Sequence, residues 1–117
     1  TYSDLFKSLE KEGLLRLPPE KEWARNTYWM YGIVISPVVG IDAKQAIKKL
    51  AQRGIQTRPF FCPMHLQPAF DKYSWFRKES LPVSEYLYKY GLYLPSGLTL
   101  TKEQIGKVAE CVKEVMP

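Results

Sequence analysis

Hydrophobic residues recur at helical spacing in four segments of this chain. Within each segment the apolar side chains fall three or four positions apart, which places them on one face of an α-helix. Asp42 and Thr101 are each followed three residues later by a glutamine, so each can begin a helix with a capping box. Ser3 is the expected N-cap of the first helix, and Gly54 is the expected left-handed end of the second. The predicted helices cover residues 3–11, 42–53, 80–90 and 101–112.

A second pattern, rich in aromatic and β-branched residues, predicts the strands. Residues 27–36 form the strongest predicted strand, because such side chains fit a pleated surface. Both faces of this strand are apolar, so it should be central or line a cleft, and Gly32 would let another element approach closely. Shorter strands are predicted at residues 14–17, 55–61 and 92–94.

The connections between these elements are polar and contain most of the prolines. Residues 18–26 are interpreted as a loop that tucks Trp23 inward, and residues 64–67 as one helical turn between two prolines. Residues 70–81 are interpreted as a long surface loop. The order of elements predicts a single α+β domain over residues 1–117, with the helices packed on one face of a small, mostly antiparallel sheet.

Composition narrows the classes of function. With 45% hydrophobic and 14% aromatic residues, the 117-residue chain can bury one core. No apolar run approaches the ~20 residues that span a bilayer, and no secretory signal is seen, so no membrane partner and a cytoplasmic location are predicted. Two distant cysteines and one histidine cannot complete a zinc site, so no metal is predicted. The chain does not begin with methionine, which suggests a fragment of a longer protein.

Candidate binding chemistry is concentrated in residues 54–68, which hold three prolines, two adjacent aromatics, an arginine and the histidine. Pro59 forces an extended backbone at Arg58, so the guanidinium is held out from a stiff segment. Its planar fork favours anion binding over a surface salt bridge. For His65 two interpretations stay open: a hydrogen bond to a phosphate or sugar oxygen, and a hydrogen bond to a backbone carbonyl.

Apolar residues flank these polar candidates. Phe60, Phe61 and Met64 are interpreted as core or interface residues, with an apolar wall for a sugar or base as the alternative. Cys62 and His65 are spaced as a nucleophile and a base could be, but no third group orients them, so packing of Cys62 is preferred. No catalytic residue is therefore predicted. The net charge of +5 favours anionic partners, yet the lysines of the second helix are typical of a solvated face, so no nucleic-acid partner is predicted.

Four motifs follow one another along the chain. They are Tyr28-Trp-Met-Tyr-Gly-Ile-Val-Ile35, Gly54-Ile-Gln-Thr-Arg-Pro-Phe-Phe61, Pro63-Met-His-Leu-Gln-Pro68 and Gly91-Leu-Tyr-Leu-Pro-Ser-Gly-Leu-Thr-Leu-Thr-Lys-Glu-Gln-Ile105. Together they resemble the carboxyl-terminal domain of the DegT/StrS-type nucleotide-sugar aminotransferases, most closely the perosamine synthetase branch. The resemblance spans nearly all of the chain.

The resemblance implies a fragment of a pyridoxal phosphate (PLP) enzyme that moves an amino group from glutamate to a keto sugar on a nucleoside diphosphate. In that family a separate large domain carries the lysine that binds the cofactor, and the complete enzymes are homodimers. No lysine of this chain matches the cofactor-binding lysine, so the chain is expected to bind no cofactor alone and to be inactive alone. The resemblance also implies that it covers the substrate cleft of the complete enzyme. Arg58 and His65 would contact the pyrophosphate or sugar, and Phe60, Phe61 and Met64 would shape the wall.

A second hypothesis belongs to a different class of protein. It is a free-standing α+β module that uses its positive charge to bind an anion or RNA. The aromatic residues lie beside prolines, which differs from the aromatic and basic pattern of an RNA-recognition motif.

Overall fold

The computed structural model describes residues 1–73 and 79–116, so residues 74–78 of the predicted surface loop lie outside the described residues. Four α-helices and four strands make up the described part of the chain. Their bounds are Tyr2–Lys11 for α1, Leu15–Arg16 for β1, Tyr31–Ile35 for β2, Ala43–Gln52 for α2, Arg58–Pro59 for β3, Pro82–Tyr90 for α3, Gly91–Leu94 for β4 and Lys102–Val115 for α4.

The four strands form one sheet in the order β1-β2-β4-β3, and every neighbouring pair is antiparallel. Strand β4 pairs with β2 so that Leu92 lies opposite Ile33 and Leu94 lies opposite Tyr31. Residues directly opposite each other place their side chains on the same face, so the buried residues of both strands share one side. The predicted α+β class with a mostly antiparallel sheet is confirmed.

One face of the sheet carries the hydrophobic core. Tyr31, Ile33 and Ile35 are buried and alternate along β2 with half-buried residues that face the other way. Helices α1, α2 and α4 cover the buried face, as the amphipathic pattern predicts. The helical residues that are fully buried there include Phe6, Ala46, Leu50, Val112 and Val115. Helix α3 contributes no buried residue and runs directly into β4.

The predicted helix ends are local features, and most of them are confirmed. At the start of α2, the Gln45 backbone N–H donates to Asp42 Oδ1 at 2.8 Å, and the Asp42 N–H donates to Gln45 Oε1 at 2.9 Å. Thr101 begins α4 with the same reciprocal pair of bonds. Gly54 has a φ of +76°, so it ends α2 in the left-handed region as predicted. Ser3 is not the N-cap of α1, which begins one residue earlier at Tyr2.

The predicted strand at residues 27–36 is extended only from Tyr31 onward. Tyr28 and Met30 have φ values of 52° and 61°, in the left-handed region that breaks an extended backbone. The Asn26 side chain accepts a hydrogen bond from the Tyr28 N–H at 2.7 Å and holds this irregular segment. The composition of residues 27–30 favours a strand, but this local turn prevails.

Two further expectations are wrong. Trp23 does not tuck inward, because it is 86% exposed in the loop between β1 and β2. The strand predicted at residues 55–61 is confined to Arg58–Pro59, at the edge of the sheet beside β4. Pro59 has no N–H to donate to a further strand, which suits an edge position.

Two tyrosine hydroxyls join α1 to the sheet. The Tyr2 hydroxyl donates to the Pro95 carbonyl oxygen at 2.9 Å, and the Ser3 and Tyr31 hydroxyls lie 2.9 Å apart. Burial, followed by the proximity of Tyr31, raises the pKa of Tyr2 to about 12. Burial also raises the pKa of Tyr31.

Stability at alkaline pH should depend on Tyr2. The ordinary tyrosine pKa is 10.0 and that of folded Tyr2 is about 12, so between these values the folded chain keeps a proton that the unfolded chain has lost. The stability contributed by the neutral hydroxyl is therefore complete below pH 10.0 and is lost as the pH rises toward 12. Urea unfolding at increasing pH measures the decline, which Tyr2→Phe should flatten. An equally steep decline in the variant would contradict the assignment.

Candidate functional site

The second face of the sheet is not covered by α1, α2 or α4. On β2 this open face carries Gly32 and Val34, which alternate with the buried residues. Tyr93 of β4 lies opposite both Gly32 and Arg58, so the sheet register places these three residues on the open face. The Arg58 side chain is exposed there and has no hydrogen-bond or ion-pair partner among the described residues. The predicted anion-binding arginine is therefore free to bind a ligand.

Phe60 lies on the open face, and its ring packs against the backbone of Gly32 and Gly91. Its N–H donates to the Gly91 carbonyl oxygen at 3.0 Å, and its ring stacks on Tyr93 with the ring centroids 4.6 Å apart. A Cβ added at Gly32 would lie 2.9 Å from the ring, and one added at Gly91 would overlap the ring. A side chain at either position would force the Phe60 ring to shift, because the ring lies directly against the backbone. The predicted close approach at Gly32 is thus confirmed, with Phe60 as the approaching group.

A groove separates residues 60–67 from α3. It has a volume of about 530 Å³, and we call it the aromatic groove. Phe61 is 76% exposed and Met64 is 55% exposed, so much apolar surface in the groove faces solvent. Contiguous exposed apolar surface is typical of a ligand or partner site. The lining residues are Phe60, Phe61, Cys62, Pro63, Met64, Gln67, Ser84, Leu87, Tyr88 and Tyr93.

His65 turns away from solvent, although it belongs to the same short segment. It lies in a 3-10 turn at Met64–Leu66, where one helical turn is predicted, and its side chain is only 2% exposed. Its Nε2 lies 3.0 Å from Glu85 Oε1 on α3, and its buried Nδ1 has no partner in the described chain. Because Glu85 Oε1 is a carboxylate oxygen and can only accept, the proton of this hydrogen bond lies on His65 Nε2. The observed partner is a carboxylate, which neither interpretation of the sequence named.

Glu85, the partner of His65, is not indicated by any pattern in the sequence. Its Oε1 accepts the hydrogen bond from His65 and a second one from the Leu81 backbone N–H at 3.1 Å. These bonds, with that of His65 the larger influence, hold the pKa of Glu85 below its usual value. An acidic residue in the first turn of a helix is ordinary. Nothing in the sequence therefore points from Glu85 to a histidine 20 positions earlier.

Cys62 and His65 do not form a nucleophile and base pair. The Cys62 Sγ lies 3.7 Å from the Pro63 carbonyl oxygen, while His65 Nε2 is directed to Glu85. The Gln67 side chain donates to the Cys62 carbonyl oxygen at 3.2 Å, which adds a local contact within the segment. The preference for packing of Cys62 fits its half-buried position.

The described residues do not fit a PLP site by themselves. Every lysine among them is exposed, whereas a lysine that binds the cofactor must lie inside a cleft. A search of the same residues finds no cluster of histidine, cysteine and acidic side chains suited to a metal ion. Among the helices of that part of the chain, none combines the length and apolar character needed to cross a bilayer.

Comparisons with known proteins agree with this architecture. The family described as the DegT/DnrJ/EryC1/StrS aminotransferase family matches residues 1–113. GDP-perosamine synthase of Caulobacter vibrioides is 32% identical over 92 residues, which make up 79% of this chain and 24% of that protein. The chain therefore spans about a quarter of the length of this relative.

Solved structures of similar fold cover nearly the whole chain. NtdA from Bacillus subtilis, with bound cofactor PMP, has a TM-score of 0.79 at 22% identity and covers 98% of this chain and 26% of its own. Helicobacter pylori PseC, an aminotransferase involved in the biosynthesis of pseudoaminic acid, has a TM-score of 0.78 at 19% identity. It covers 98% of this chain and 30% of its own. At sequence identities of 19% and 22%, this structural similarity supports the fold assigned to the chain and nothing further.

Proposed function

Since this chain belongs to the DegT/DnrJ/EryC1/StrS aminotransferase family, we propose that it is the carboxyl-terminal small domain of a PLP-dependent nucleotide-sugar aminotransferase. The complete enzyme would transfer an amino group from glutamate to a keto sugar on a nucleoside diphosphate. A large domain that precedes this chain would hold the cofactor, and the enzyme would act as a cytoplasmic homodimer. Residues 1–117 would cover the substrate cleft and would be inactive alone.

The observation that carries this proposal is the open face of the sheet. It presents an unpaired arginine beside a groove with two largely exposed apolar side chains, Phe61 and Met64. An exposed groove such as this binds a small ligand well only when a second protein surface closes over it, because most of the ligand surface has to be buried. The large domain of the same enzyme would supply that second surface.

Each site residue has a role in the proposal. Arg58 binds the pyrophosphate, since a guanidinium can form two parallel hydrogen bonds to phosphate oxygens. Phe60, Phe61 and Met64 pack against the sugar or base and exclude water from it. His65 also lies on the substrate side, but its ring is buried, so a direct contact with substrate requires the Met64–Leu66 turn to move.

The cofactor, when bound, supplies the electron sink for amino-group transfer. In this proposal the large domain holds the cofactor, and the task of this domain is to bind and orient the nucleotide-sugar. Two of the groups proposed for that task, Arg58 and Phe60, are fixed by pairing with β4. Groups on a paired strand are held more precisely than groups on a free loop.

The test compares residues 1–117 with the protein extended upstream of Thr1. The extended protein should bind PLP, with the visible absorbance of the bound cofactor, and should aminate a GDP-linked keto sugar with glutamate as donor. The chain alone should do neither. Stoichiometric covalent binding of PLP by the chain alone would overturn the proposal, as would an upstream region that lacks a domain with a cofactor-binding lysine.

The competing function, an anion- or RNA-binding module, is favoured by the net charge of +5 and by exposed lysines at positions 44, 48 and 49 on α2. Titration with a single-stranded oligonucleotide at several salt concentrations separates the two functions. Tight binding that weakens steeply with salt would favour the module, because each phosphate contact releases counterions. Weak binding without such a slope is expected for the aminotransferase domain.

A further inference from the structure

We propose that Glu85 is a positioning residue for the aromatic groove, because its hydrogen bond to His65 fixes the distance between the Met64–Leu66 turn and α3. The inference rests on the proposed function, in which this groove receives the nucleotide-sugar. Glu85 itself does not line the groove and does not touch the proposed substrate. It acts through His65.

One carboxylate oxygen holds two separate parts of the chain. Glu85 Oε1 accepts from His65 Nε2 at 3.0 Å and from the Leu81 N–H at 3.1 Å. Leu81 is the N-cap residue immediately before α3 and its side chain forms no capping hydrogen bond, so the bond from its N–H to Glu85 satisfies a donor at the helix start. The same oxygen thereby fixes the start of α3 and the position of the turn.

The turn has no other hydrogen bond to a distant residue in the described chain. The Leu66 N–H donates to the Pro63 carbonyl oxygen at 3.0 Å, and the Gln67 side chain donates to the Cys62 carbonyl oxygen at 3.2 Å. Both bonds are local, so they shape the turn without placing it against α3. The bond from the buried His65 ring to Glu85 provides that placement.

The two sides of the aromatic groove are the two segments that this bond joins. Phe61 and Met64 line it from the side of the turn, and Leu87 and Tyr88 line it from α3. Met64 immediately precedes His65, and Leu87 lies two residues after Glu85. A change in the Glu85–His65 distance therefore changes the width of the groove directly.

Glu85→Gln in the complete enzyme tests this role. The amide keeps the size and the hydrogen-bonding atoms of the side chain but removes the charge that strengthens the bond to His65. We expect the KM for the nucleotide-linked keto sugar to rise about fivefold, while kcat and the KM for the amino donor stay unchanged. A substitution that only lowered the folded fraction would reduce kcat and leave both KM values as they are.

Glu103→Gln is the matched control. Glu103 lies in the first turn of α4 and its side chain has no hydrogen-bond partner among the described residues, so this variant removes the same charge from the first turn of another helix. Its kinetic constants should equal those of the unmodified enzyme. Equal KM values for the nucleotide-sugar in Glu85→Gln and Glu103→Gln would overturn the inference.

A second measurement separates failure of this inference from failure of the proposed function. Hydrogen exchange of peptides that cover residues 63–67 should become faster in Glu85→Gln and stay unchanged in Glu103→Gln. In a His65→Ala background, Glu85→Gln should have no additional effect on exchange or on KM, because the contact is already absent. Unchanged exchange in Glu85→Gln overturns the positioning role even in a fully active enzyme. An enzyme that aminates no nucleotide-sugar refutes the proposed function instead.

Discussion

Gly91→Ala should lower the free energy of unfolding by about 3 kcal/mol, at the upper end of what overpacking in a folded protein costs. An added Cβ at this position would overlap both the Phe60 ring and the Leu87 carbonyl oxygen. The ring cannot move aside without losing its stacking on Tyr93, and the carbonyl belongs to the backbone of α3. The junction between α3 and β4 therefore has to shift. Urea unfolding followed by circular dichroism measures the change.

Gly106→Ala is the natural control for this substitution. Gly106 lies within α4, and an added Cβ there meets no atom within 4 Å. Alanine should therefore raise the free energy of unfolding by about 0.5–1 kcal/mol, the usual difference in helix propensity. Adding Phe60→Leu to Gly91→Ala should recover part of the lost stability, because the smaller side chain removes one of the two overlaps. A Gly91→Ala variant as stable as the unmodified chain would show that Phe60 is not packed against Gly91.

The parts of the fold that the sequence predicted well are those decided by neighbours along the chain. The capping pairs at Asp42 and Thr101 join residues three positions apart, so their geometry follows from the helix itself. Gly54 supplies the left-handed end of α2 because glycine has no side chain to oppose it. The hydrophobic repeat of each helix similarly identifies the face that meets the sheet.

The errors concern features that depend on distant partners or on local turns. Trp23 is exposed because nothing in the described chain covers its loop, and hydrophobicity alone cannot reveal whether a partner surface exists. Residues 27–30 have the composition of a strand, yet the hydrogen bond between Asn26 and the Tyr28 N–H stabilises a left-handed turn there. Strand propensity therefore predicts the backbone conformation poorly where a single side-chain hydrogen bond stabilises a turn.

The candidate site was predicted in part for the same reason. Pro59 restricts the backbone at Arg58, so an outward-facing arginine follows from two adjacent residues. The burial of His65 depends on Glu85 and on the packing of α3, which no local pattern encodes. The sequence predicts Phe60 as a core or interface residue, with an apolar wall as the alternative, but its contacts with two glycines follow only from the sheet register.

Arg58→Ala should raise the KM of the complete enzyme for the nucleotide-linked keto sugar by about 10- to 100-fold, the usual cost of losing a charged pair of hydrogen bonds to phosphate. Stability should hardly change, because the Arg58 side chain is exposed and has no hydrogen-bond or ion-pair partner among the described residues. Arg58→Lys should give an intermediate KM, since lysine keeps the charge but loses the planar fork. Steady-state kinetics and thermal unfolding of each variant measure the two effects separately.

Lys48→Ala is the control for the loss of one positive charge. Lys48 is exposed on α2, which covers the opposite face of the sheet, so its removal changes the net charge equally without altering the open face. Its KM should match that of the unmodified enzyme. Equal increases in KM for Arg58→Ala and Lys48→Ala would mean that the enzyme attracts its substrate through net charge alone. An increase confined to Arg58 variants, and weaker in Arg58→Lys, requires a directed contact with the diphosphate.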